Sequence, residues 1–197
     1  MYIFENDKIK EVLNREIKKK KIKIIKKNIN KSTDLNGYDL KVLCLGRNSK
    51  IYQNVIKSRS IEKDYKEIAF TGYVKHNLKE VITSQFFLKE GPLAILPFSK
   101  NNFSFVWSVN KGSLIKNIKS TIKKKIVEIL KVKNINITNI QSYPLILNLK
   151  RTYYKKDVLI LGEGLHTIHP VAGQGFNLVM RDIKKLKEVL MHYTGLG

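Results

Sequence analysis

Residues 157–182 constrain this chain more tightly than any other stretch. Val158 to Leu161, an apolar run of mostly branched residues, reads as a buried strand. A polar loop carrying Gly162, Gly164, Pro170, Gly173 and Gly175 follows, and a helix is expected from Gly175 or Phe176 toward Met191. Apolar residues at 178, 179, 183, 186 and 190 recur three or four apart and give that helix one face to bury. The bend has a physical use. Glycines let backbone lie close to a flat or charged ligand, and Pro170 stiffens the approach. A helix start offers unpaired N–H groups and partial positive charge to an anion.

The order Gly162-Glu163, Gly164-Leu165-His166, Pro170, Gly173-Gln174-Gly175, Asn177, Arg181-Asp182 resembles the second flavin-contacting motif of the FAD-dependent aromatic-ring hydroxylases. These have the para-hydroxybenzoate hydroxylase fold, and the branch most resembled hydroxylates the ubiquinone precursor ring. Asp39-Leu40, with Gly46-Arg47-Asn48-Ser49, resembles that family's other internal motif. Two positions depart from the pattern. Glu163 stands where the family has the Asp that bonds the ribityl chain, keeping the charge on a side chain one methylene longer. Leu45 replaces an Asp linked in the family to the flavin diphosphate and to NAD(P)H handling. Taken alone, Gly46 to Ser49 reads equally as a turn and helix cap.

The resemblance implies a mixed α+β fold, with an antiparallel substrate-domain sheet between two pieces of an FAD-binding domain. The expected divisions are 1–49 and 151–197 for the FAD-binding pieces and 50–150 for the sheet and its helix. It implies FAD as cofactor, NAD(P)H as electron donor, O₂ as co-substrate, and an aromatic, polyprenylated ubiquinone precursor as substrate. The cofactor-binding residues carried over are Arg47, Asn48, Gly162, Glu163, His166, Pro170, Gly173, Gln174, Gly175 and Asn177. No side chain is an evident acid or base catalyst, as expected where the cofactor does the chemistry. The family opens with a dinucleotide-binding Gly-x-Gly-x-x-Gly unit that this sequence lacks. The chain therefore reads as the middle of the family pattern, shortened at both ends: a gene fragment, a split product or a decayed copy. Two further partners follow, a complementing N-terminal half and a ubiquinone-biosynthesis complex. The alternative reading is a catalytically inactive flavoprotein remnant, motivated by Leu45 and the missing unit.

The sequence has 38 basic and 16 acidic residues, a net charge of +22. Such a balance invites nucleic acid or an anionic membrane. A solvated lysine-rich surface accounts for it equally, since the basic run Lys18 to Lys27 lacks the aromatic interleaving of single-strand binders. A nucleic-acid-binding protein is the minor alternative. Cys44 is the only cysteine, so no disulfide framework can form and a reducing compartment is expected. With no secretory pattern and no long apolar run, the expected location is cytoplasmic, with peripheral contact to the inner membrane. His166 and His169 are three apart but lack further metal ligands nearby, so no metal is expected.

In chain order, Ile9, Val12, Leu13 and Ile17 predict a helix over 5–20, and Ile22, Ile24 and Ile25 a strand after it. Tyr38–Leu45 predicts a strand, and 50–62 a helix and linker. Strands are expected over 68–74, 94–98 and 103–109, with a turn at 99–102. Trp107 and the Phe cluster suit a core or the wall of an aromatic pocket. A helix over 113–131, a polar connection over 134–139 and a strand over 141–149 complete the pattern.

Overall fold

The computed structural model describes residues 5–29, 37–46, 49–52, 59–112, 117–169 and 174–192. In order, the elements are α1 (Asn6–Lys19), β1 (Lys41–Leu43), β2 (Ser60–Lys75), β3 (Ser84–Leu88), β4 (Gly91–Ser99), β5 (Asn102–Asn110), α2 (Ile118–Leu130), β6 (Asn136–Lys150), β7 (Tyr154–Lys155), β8 (Val158–Ile160), a 3₁₀ turn (Gly162–Gly164), β9 (His166–Thr167) and α3 (Gln174–His192). The chain divides into two compact units. One comprises Met1–Ile25 and Lys66–Pro144, the other Lys26–Tyr65 and Leu145–Gly197.

The first unit is built on an antiparallel sheet in the order β3-β4-β5-β2-β6. Side chains alternate across a strand, so Phe103, Phe105, Trp107 and Val109 of β5 all reach one face. There they meet Val74 of β2, Leu93 and Ile95 of β4, and Ile122 and Ile126 of α2, which lie four apart on one side of that helix. Each of these is buried, and each large apolar side chain so removed from water contributes roughly 1.5–3 kcal/mol. Trp107 is core: it is fully buried and its indole N–H donates to the Gly91 carbonyl at 3.3 Å. Asn117 caps α2 by accepting the Ser120 N–H, and Lys131 ends the helix in the left-handed region at φ 53°.

Several expectations need correction. Ile22, Ile24 and Ile25 form no strand; they lie in irregular chain at 55%, 67% and 58% exposure, and no strand among the described residues supplies a ladder. The polar 134–139 connection is strand from Asn136 onward, since pairing along the sheet overrides the weak strand preference of asparagine. The linker ends earlier than expected, at Ser60, where β2 begins. Residues 53–58, from the predicted helix and linker, lie outside the described set. The helix after the bend is present, but its apolar face is only half covered. Leu178, Val179 and Leu186 are half-buried, while Ile183 and Leu190 stand 44% and 40% exposed.

Candidate functional site: two turns at the end of a parallel strand pair

The second unit places the two sequence motifs together. β1 and β8 pair in parallel with Val42 opposite Leu159 and Leu43 opposite Ile160, and β7 joins the far side of β8 antiparallel. Parallel pairing makes both chains leave the sheet at the same end. The turn after β1, at Leu45–Gly46, and the turn after β8, at Gly162–Gly164, therefore share that end. The ladder continues one step further, with the Leu161 N–H donating to the Leu43 carbonyl at 3.0 Å. Ligands of parallel sheets bind outside such strand ends. At the opposite end the Lys41 N–H donates to the Asp157 carbonyl at 2.7 Å, and the Lys41 ammonium contacts the Asp157 carboxylate. The hydrogen bond from that ammonium holds the Asp157 carboxyl below its usual range.

One side chain ties the two turns. Tyr52 is 2% exposed and packs with Leu43, Val158 and Ile160. Its hydroxyl accepts the Leu45 N–H at 2.7 Å. Its ring occupies the place a side chain at residue 164 would need: a Cβ on Gly164 would stand 2.3 Å from the ring and the hydroxyl. Internal packing against Tyr52 is thus enough to require glycine at 164. Gly162 behaves differently. Its φ of +77° is left-handed, and nothing lies within 4 Å of the position a Cβ would take.

Past the turn, the Leu165 N–H donates to the Gly162 carbonyl at 2.9 Å, and β9 pairs with the end of β6 through His166 opposite Leu149. His166 Nε2 lies 2.6 Å from an Asp182 carboxylate oxygen on α3. Its other ring nitrogen, Nδ1, is buried with no hydrogen-bond partner among the described residues. His169 turns elsewhere, with its ring edge-on to Tyr65 at 5.2 Å. Glu163 is exposed at the tip of the 3₁₀ turn, while Gln174, Gly175 and Asn177 occupy the first turn of α3. Gly175, like Gly162, has open space where a Cβ would be. Arg47, Asn48, Pro170 and Gly173 lie outside the described residues.

Sequence reasoning missed Tyr52 and the partner of Asp182. Tyr52 is the one aromatic in a polar, basic stretch, and that was its only signal. Asp182 enters the sequence reading only as part of the Arg181-Asp182 motif, whereas in the structure its carboxylate meets His166.

The open backbone at Gly162 and Gly175, in a bend beyond parallel strand ends, fits a flat cofactor approached closely by main chain. The mixed fold, with this bend and an antiparallel sheet, is shared with solved FAD-dependent hydroxylases and halogenases. Among solved structures, the fold is similar to aklavinone-11 hydroxylase in a ternary complex with FAD and aklavinone (TM-score 0.59, 12% identity, 72% of this chain and 28% of that one). It is also similar to CmlS, a flavin-dependent halogenase (TM-score 0.60, 14% identity, 73% and 28%). The family profile described as FAD binding domain matches residues 44–195, and the chain belongs to that family. Curated relatives include ubiquinone-biosynthesis hydroxylases. It is 30% identical over 120 residues to the 3-demethoxyubiquinol 3-hydroxylase of Escherichia coli (strain K12), covering 58% of this chain and 31% of that protein. The chain thus spans about a third of the length of that relative.

Proposed function

We propose that this chain supplies the flavin-contacting bend and the substrate-facing sheet of an FAD-dependent monooxygenase that hydroxylates an aromatic ring, a polyprenylated ubiquinone precursor. The observation that carries the reading is Gly162: left-handed, open on its Cβ side, at the end of a parallel strand. Bound FAD would supply the redox and oxygen chemistry, with NAD(P)H as donor. The chain's residues bind and orient. Gly162 and Gly175 leave room for close approach, and Glu163 accepts hydrogen bonds from the hydroxyls of the ribityl chain. His166, Gln174 and Asn177 belong to the same bend, together with Pro170 and Gly173, and Arg47 with Asn48 serves the diphosphate side.

Support for an aromatic substrate comes from the sheet unit. On the sheet, a cavity of about 770 Å³ is lined in part by Thr71, Tyr73, Phe98 and Ser104, with Glu5 and Asp7 also lining it. Tyr73 and Phe98 meet edge to face at 5.7 Å, leaving aromatic surface for a ring. No described helix is long and apolar enough to cross a membrane.

The test is direct. The purified chain is incubated with FAD, freed of unbound cofactor, and scanned for flavin absorbance. Retention near one flavin per chain is expected; no retained flavin overturns the reading. A second reading, a flavin-binding but inactive remnant, is favoured by Leu45, whose N–H is committed to Tyr52 and which brings no carboxylate to the turn. If flavin is retained but NAD(P)H does not bleach it under anaerobic conditions, the remnant reading stands.

A further inference from the structure

We propose that Asp182 is a positioning residue for the flavin-bearing bend and acts through His166; the inference rests on the flavin reading above. The geometry is a side-chain bond between two elements that flank the bend. His166 is on β9, just past the Gly162 turn, and Asp182 is two turns into α3. Their 2.6 Å contact joins β9 to α3. It fixes the strand side and the helix side of the bend to one another.

The contact also sets the state of the ring. An ionised carboxylate only accepts, so Nε2 carries the proton and donates to Asp182. Nδ1 is buried and unpaired among the described residues. Leaving a buried polar atom without a partner is unfavourable, and such atoms are rare in folded chains. A contact that served packing alone would be met equally by two apolar side chains of similar shape, without that cost. The His166 side chain is 12% exposed and that of Asp182 is 29% exposed, so water screens the pair only weakly. The pair therefore holds β9 and α3 in one arrangement at some expense in stability, as expected of residues that serve a site.

The experiment uses the full 197-residue chain. First, ring ¹⁵N spectra of the histidines are recorded without flavin, with His166 assigned by its loss in His166→Gln. The expected state is Nε2-protonated in the wild type, with that tautomer lost or mixed in Asp182→Ala. A wild-type His166 that carries no proton on Nε2 overturns the inference. Second, FAD affinity is compared in the wild type, Asp182→Ala, Asp182→Asn and Val158→Ala. Asp182→Ala is expected to weaken FAD by about tenfold, as a lost charge-assisted hydrogen bond implies. Asp182→Asn, which can still accept from Nε2, recovers most of that affinity. Val158→Ala, a core change in the same unit, lowers thermal stability while changing affinity less than about twofold, because packing loss alone leaves the bend tied. Equal loss of affinity in Asp182→Ala and Val158→Ala, or unchanged affinity in Asp182→Ala, overturns the inference alone. A wild-type chain that retains no FAD overturns the flavin reading and this inference together.

Discussion

The ring of Tyr52 fills the volume that a side chain on Gly164 would take, 2.3 Å from where that Cβ would stand. A methyl group there cannot be absorbed without moving a buried ring. Gly164→Ala is expected to destabilise the chain by about 1–3 kcal/mol, the usual cost of overpacking. Tyr52→Phe keeps the ring and leaves the Leu45 N–H without its acceptor, at about 1–3 kcal/mol. Combining Gly164→Ala with Tyr52→Leu should cost less than the sum of the single changes, because both act on one shared volume. Urea unfolding of the four proteins measures this, and strict additivity would show that the two residues do not share that space.

Gly162 separates stability from binding. Nothing obstructs a Cβ there, so Gly162→Ala meets only backbone strain in the left-handed region, about 1–2 kcal/mol. The same methyl would stand in the space assigned to the cofactor. We expect a small fall in thermal midpoint and a loss of FAD retention out of proportion to it, read by unfolding and flavin absorbance on the same sample.

Trp107 provides a built-in probe of the sheet unit, as it is the chain's single tryptophan. It is fully buried, so its emission should be blue-shifted and resist iodide quenching. Trp107→Phe should cost about 1–3 kcal/mol through lost apolar area and an unpaired Gly91 carbonyl. Emission resembling that of the unfolded chain would contradict the core placement.

Acid stability follows from His76. The ring is 3% exposed and tilted against Phe103 at 5.4 Å. Its Nδ1 accepts the Leu78 N–H at 3.2 Å. Burial pulls its pKa below the usual histidine value. The sign is then fixed. Below about pH 6.5 the unfolded chain takes up a proton that the folded chain refuses, so stability falls on acidification from neutral pH and is flat above it. His76→Gln should flatten the slope between pH 7 and 5 in denaturant midpoints. At lower pH, Asp157 acts in the familiar carboxylate direction. Its pKa is held down chiefly by the hydrogen bond from Lys41, so its stabilising share is lost as pH falls through the folded value. Lys41→Met should raise the Asp157 pKa toward the ordinary range in an NMR titration.

The sequence by itself determined the local pieces. Period-two and period-3.6 patterns marked β5, α1, α2 and α3 because side-chain direction within one element depends only on its own backbone. The order of glycines, proline and histidine around residues 162–177 marked the bend. Only the tertiary structure decided what depends on partners distant in the chain. Ile22, Ile24 and Ile25 are branched and apolar as strand residues are, yet form none, since a ladder needs a neighbour. Two glycines of one motif, Gly162 and Gly164, look alike in sequence; the first stands in open space and the second lies under Tyr52. Asp182 belongs to the helix surface by its own periodicity and to His166 by position. In each case the deciding quantity is a distance between residues far apart along the chain, and the identity of neighbours in sequence does not contain it.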